Sequence, residues 1–269
     1  MKEKLHIVSE HITNKNNKKF STDNLVKPNE DYFIDDNINK IYIVLDGISR
    51  YIEDYKLNLH LVSDLSKLFG NNIYDYLLKH KSIITDVETA KDVLMKAFDY
   101  ANSCVSVYID NNYNLKGEIP GCVGVVSLIV NDYIYSISFG DSMGIIFRDT
   151  SKIIFAPKQT EYVFNYLKYE KDRNKLINDF INKNISPYGY AVANGEEEAS
   201  KLVNFNYIKL EESDVIYLTT DGASDLIQFY KNEFINRLTL HELITESNNQ
   251  DLLLNKSYFD DKTIIRIKI

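Results

Sequence analysis

The stretch VGVVSLIVNDYIYSISFGDSMGIIFRDTSKIIF, residues 123–155, decides the fold. It divides into apolar, β-branched and aromatic runs at 123–130, 133–139, 144–148 and 152–155, joined by tight turns such as Asn131-Asp132. Such residues suit a pleated surface, and Asn, Asp and Gly suit the breaks. Connections this short imply antiparallel pairing, because a parallel neighbour needs a crossover of a dozen or more residues. Working outward, IYIVL at 41–45 is a buried-strand run that stops at Asp46-Gly47. Residues 52–69 and 87–109 have helical spacing, and Val87, Leu94, Ala97, Phe98, Ala101 and Val105 of the second recur on one stripe. Downstream, 160–183 reads as one or two helices, with Pro187 and Gly189 at the exit and Asn194-Gly195 as a hairpin turn. Strands are expected at 202–210, 215–219 and 263–269, and helices near 223–231 and 239–247. The order predicts an α+β fold of two antiparallel sheets packed face to face with helices outside each. Nothing divides the sequence, so 1–269 is read as one domain.

The chain has 269 residues, 39 acidic and 31 basic, for a net charge of −8. That length buries a real core without disulfide staples, and 44% hydrophobic residues with 10 Gly and 4 Pro exclude disordered and collagen-like classes. No apolar run reaches the roughly 18 residues of a membrane span, and the basic start has no apolar h-region, so no membrane contact is expected. The acidic balance argues against a nucleic-acid surface. Lys15, Lys18 and Lys19 read as a solvated hairpin loop between two N-terminal strands. Two cysteines, Cys104 and Cys122, give neither a disulfide framework nor a CxxC pair, which places the chain in a reducing cytoplasm.

There is no P-loop, dinucleotide fingerprint, H-E-x-x-H or G-x-S-x-G motif, and the five histidines lack ligand spacing. The aspartates are the informative residues. IYIVL-Asp46-Gly47 and VIYLTT-Asp221-Gly222 both end an apolar strand in an acid followed by glycine. IYSISF-Gly140-Asp141 is a third such strand; Asp260-Asp261 precedes the last strand and Asn29-Glu30-Asp31 the first buried one. One Asp-Gly is usually a turn, but paired sheets bring five acidic strand ends to one rim. Carboxylates gathered there repel unless cations neutralise them. An all-oxygen set selects Mg²⁺ or Mn²⁺ over zinc. Two such ions share a bridging water and activate it for attack on phosphorus. The residues by themselves therefore point to a two-metal phosphoester hydrolase.

Asn29-Glu30-Asp31, Asp46-Gly47, Gly140-Asp141-Ser142, Thr220-Asp221-Gly222 and Asp260-Asp261-Lys262-Thr263 resemble, in order, the successive motifs of the metal-dependent type 2C (PPM-type) serine/threonine protein phosphatases. The resemblance spans nearly the whole chain and implies an α-β-β-α sandwich. It implies that Asp46 bridges two metals, that Gly47 ligates one through its carbonyl, and that Asp221 and Asp260 complete the other shell. Asp31 then acts through a metal-bound water, and Asp141 helps to hold a third, weaker metal. Residues 157–190 occupy the place of the flap, and GYAVANGEE at 189–197 resembles bacterial members.

The departures are local. Asp46-Gly47 continues as Ile48-Ser49-Arg50 in place of the family's His-Gly-Gly or Met-Gly-Gly, and Met143 and Gly121-Cys122-Val123 also differ from the pattern. The phosphate-gripping Arg is missing, which leaves Lys27 as the nearest cation and candidate clamp. The resemblance implies a monomer acting on a phosphorylated protein, opposite a cognate Ser/Thr kinase. The alternative is a non-catalytic regulatory or binding module that retains the fold. A haloacid-dehalogenase-type phosphatase would need D-x-D-x-[TV], which Asp46-Gly47-Ile48 lacks.

Overall fold

Continuous apolar runs become central strands, buried on both faces, and interrupted ones become edges. In the computed structural model, which describes residues 5–14, 28–48, 60–113, 120–157, 184, 189–254 and 260–269, the chain runs β1 (Val8–Asn14), β2 (Tyr32–Asp36), β3 (Ile41–Ile48), α1 (Leu61–His80), α2 (Val87–Asn112), β4 (Gly121–Val130), β5 (Tyr133–Phe139), β6 (Met143–Arg148) and β7 (Ser151–Phe155). It continues as β8 (Asn204–Lys209), β9 (Val215–Thr219), α3 (Asp221–Phe229), α4 (Asn232–Ile235), α5 (Leu240–Leu253) and β10 (Lys262–Lys268). Two five-stranded sheets form, in the orders β1-β10-β9-β6-β7 and β2-β3-β4-β5-β8. Every ladder is antiparallel.

The layers follow from strand parity. Tyr42, Val44, Val125 and Ile134 of one sheet meet Ile146, Ile216, Leu218, Ile265 and Ile267 of the other in a central seam. On one outside, α1 and α2 cover β3–β5, with Phe69, Phe98 and Phe139 meeting edge to face. On the opposite outside, Leu226, Ile227, Leu243 and Ile244 of α3 and α5 lie against Ile145, Tyr217 and Ile264. The α+β expectation and the face-to-face sheets are borne out.

Three local expectations are corrected. The four strands of 123–155 make two hairpins, one in each sheet, because the chain changes sheets at Gly140-Asp141-Ser142. Gly140 has φ +78°, and a Cβ there would lie 2.1 Å from Val123 Cγ1, so the corner requires glycine. Likewise β1 and β2 belong to different sheets and do not pair with each other; Lys15, Lys18 and Lys19 themselves lie outside the described residues. Asn194-Gly195 is not a hairpin either. The Asn194 side chain accepts from the Glu196 N–H, Cys122 and Ala193 form a single bridge, and a 3₁₀ turn follows at Glu197–Leu202.

Helices run where their stripes do. Leu61, Leu65, Phe69, Ile73 and Leu77 extend α1 to His80, eleven positions past the expected end at 69. Asp86 and Thr89 form a reciprocal capping box at the start of α2, as Thr239 and Glu242 do for α5. The expected helices at 160–183 lie outside the described residues. No helix among those described is long and apolar enough to cross a membrane.

Candidate metal centre

Parity in β3 carries Asp46 to the end of the seam. Ile41, Ile43 and Leu45 face the helices, Tyr42 and Val44 face the other sheet, and Asp46 continues the second face. It does not sit at a strand tip, as the sequence suggests: it pairs with Val123, and the ladder runs on through Gly47–Cys122 to Ile48–Gly121. Gly47 is packed so closely that a Cβ would lie 2.8 Å from the Glu30 carbonyl oxygen. Asp141 arrives through the corner at which the chain changes sheets. Asp221 is the first residue of α3 and not part of a free Asp-Gly turn. Asp46, Asp141 and Asp221 each offer a carboxylate oxygen within 4.8 Å of the others.

Asp31 and Asp260 surround this trio closely enough for their charges to act on Asp46. Burial first, then the neighbouring carboxylates, pushes Asp46 and Asp221 well above the usual carboxylate range. Burial raises Asp141 to about 6. It raises Asp31 to about 7, with Asp261 and Asp260 adding to the rise and hydrogen bonds from Thr263 and Thr220 opposing it. Among the described residues, Asp31 Oδ1 and Asp221 Oδ1 are buried atoms with no hydrogen-bond partner. Crowded carboxylates with orphaned lone pairs are what a hard divalent cation satisfies, so the donor set fits Mg²⁺ or Mn²⁺.

The supporting residues were the part that the sequence hid. Thr220 Oγ1 donates to Asp31 Oδ2 at 3.1 Å and accepts from the Thr263 N–H at 3.0 Å. Asp261 Oδ2 accepts from the Glu30 N–H at 3.1 Å, which ties the first motif to the last across 231 positions. The Tyr190 hydroxyl meets Asp141 Oδ2 at 3.2 Å, from the stretch at 189–197, 49 positions away. Burial pushes the Cys122 thiol up, and the Asp46 charge adds to this, so Cys122 is a packing residue and not a nucleophile. His11 pairs with Asp35, and His80 stacks on Tyr76. Lys27 and most of the flap-like stretch 157–190 lie outside the described residues.

Gly222 presses the fourth motif against the backbone of the last. A Cβ there would stand 2.3 Å from the Asp261 carbonyl oxygen, a backbone atom that cannot rotate away. Gly222→Ala is expected to destabilise the protein by about 1–3 kcal/mol through overpacking. Urea titration reads this directly; an unchanged midpoint would show that the two motifs do not press on each other there.

A model of the family Protein phosphatase 2C matches residues 55–161. A serine/threonine phosphatase from S. agalactiae is similar in structure, with 15% identity over 98% of this chain and 100% of that chain and a TM-score of 0.66. The catalytic domain of the serine threonine protein phosphatase PstP, solved with two manganese ions, has 14% identity over 98% and 99% and a TM-score of 0.64. PppA, described as a key regulatory component of T6SS in Pseudomonas aeruginosa, has 13% identity over 98% of both chains and a TM-score of 0.62. By sequence alone, no curated protein matches the chain. The α-β-β-α sandwich is thus the fold of these proteins, and the resemblance read from the five motifs is borne out.

Proposed function

We propose that this chain, which resembles protein phosphatase 2C in sequence and shares the fold of bacterial PPM-type phosphatases, is a Mg²⁺- or Mn²⁺-dependent phosphatase of Ser/Thr phosphomonoesters in proteins. The observation that carries this reading is the gathering of Asp46, Asp141 and Asp221 within 4.8 Å. Bound divalent cations supply an activated water near neutral pH and neutralise phosphoryl oxygens. The chain's own part is to hold them. Asp46 would serve two positions, with Gly47 contributing its carbonyl, Asp221 and Asp260 completing one side, and Asp31, held by Thr220, acting beside them. Asp141, steadied by Tyr190, would hold a weaker third cation together with Asp221. Lys27 is assigned the substrate phosphate, as a point charge without the bidentate fork of an arginine. We read residues 1–269 as one phosphatase domain with 157–190 as its flap. We also read it as a cytoplasmic monomer whose substrates a Ser/Thr kinase supplies.

The test is hydrolysis of p-nitrophenyl phosphate and of a phosphoserine peptide by protein stripped with EDTA, before and after Mn²⁺ is restored. Turnover is expected only with the metal. Undiminished activity in EDTA would end the metal reading. Tight Mn²⁺ binding without turnover of either substrate would favour a regulatory module that retains the fold.

A further inference from the structure

Lys262 lies in the interior of the molecule with no exposure, immediately after the acidic pair Asp260-Asp261 and at the start of β10. Burying an ammonium is costly, and pairing it seldom stabilises more than an apolar side chain of the same size would. Its bonds suggest another role. Lys262 Nζ reaches Asp251 Oδ2 of α5 at 2.5 Å, and it donates to the Gly222 carbonyl oxygen at 2.7 Å. That carbonyl belongs to the residue after Asp221, and Ser247 Oγ of α5 donates to it as well, at 3.0 Å. Behind it, the backbone of Asp261 leaves no room for movement, since Gly222 already touches it. One buried cation therefore joins three things: the Asp260 segment that bears it, the peptide that aims Asp221, and helix α5.

Resting on the metal reading above, we infer that Lys262 is a positioning residue of the metal centre, a strut that fixes the Asp221 peptide relative to Asp260 through the Gly222 carbonyl. Asp251 neutralises the buried ammonium, while the bond to the Gly222 carbonyl does the positioning. The pair was invisible in the sequence because its partners are separated by 11 and 40 positions.

The experiment compares three variants of the full chain by Mn²⁺ calorimetry in metal-free buffer, well below each melting midpoint. Lys262→Met/Asp251→Leu removes both charges at similar volume, so it is expected to fold, yet to bind Mn²⁺ about tenfold more weakly, the equivalent of about 1.4 kcal/mol. Ser247→Ala, which removes only the second donor to the same carbonyl, should weaken binding about threefold. Asp251→Asn leaves Lys262 on Gly222; it should melt earlier yet keep its Mn²⁺ affinity within about twofold. A purely structural pair would make affinity follow melting temperature across all three. A folded double variant with wild-type Mn²⁺ affinity would overturn the strut. Wild-type protein that binds no Mn²⁺ would overturn the strut and the metal reading together. Mn²⁺ binding with the expected variant pattern but no phosphomonoester turnover would leave the strut standing and end only the phosphatase reading.

Discussion

Asp46→Ala and Asp221→Ala are each expected to lower metal-supported turnover on the order of 10³-fold or more, without unfolding the chain. The two side chains bring carboxylate oxygens within 4.8 Å of each other, and each sits where burial and like charge already work against its ionised form. On the proposed function, removing either acid would deprive the cations of a ligand, and with it the water that they would activate. The fold loses a group that it holds at a cost when no metal is present, so the metal-free variants should melt no earlier than wild type near neutral pH. Rates at saturating Mn²⁺, set beside circular-dichroism melts in EDTA, check both halves. If both variants keep more than about a tenth of wild-type turnover, these acids are not the machinery.

What the sequence made legible was whatever depends on local pattern. IYIVL at 41–45 was read as a buried strand and is one, and the runs within 123–155 were read as strands and form β4–β7, the last a partly exposed edge. The layer count followed from them. The corner at Gly140-Asp141-Ser142 was not legible, because a glycine-acid pair looks the same whether the chain turns back on its own sheet or crosses to the other. Only the neighbour Val123, from a different strand, shows why glycine is needed. Of the candidate ligands, Asp46, Asp141 and Asp221 were found by their place after apolar runs, and the structure brings the three together. Their supports were hidden for the opposite reason. Tyr190, Thr263 and Lys262 act across long sequence separations, and no periodicity in a single chain encodes a hydrogen bond between elements that meet only in the folded molecule.

The same crowding of acids sets how stability should depend on pH when no metal is bound. Asp141 titrates at about 6 and Asp31 at about 7 in the folded chain, against 3.8 for an ordinary aspartate, chiefly through burial. Asp46 and Asp221 move the same way. Between about pH 4 and neutrality the folded state therefore holds more protons than the unfolded state, and stability must fall as pH rises through that window. The capping carboxylates act in the opposite sense. Asp86 and Glu242 are held below their ordinary values by the backbone N–H groups of Thr89 and Thr239, but their stabilisation is lost only as pH drops below about 4. From about pH 5 to about pH 7.5 the acidic cluster should dominate. Each tenfold change in a carboxylate's proton affinity on folding is worth about 1.4 kcal/mol, so a net loss of about 2–3 kcal/mol is expected once partial solvent access is allowed for. For a chain of this size, that lowers the melting midpoint by about 5–10 °C. On the proposed function Mn²⁺ would replace the protons as the neutralising charge, so saturating Mn²⁺ should raise the midpoint most at the alkaline end and flatten the profile. Asp46→Asn should flatten it without metal. Differential scanning calorimetry in EDTA reads the slope, and a midpoint that rises or stays level across this range would mean that the carboxylates do not burden one another in the folded chain.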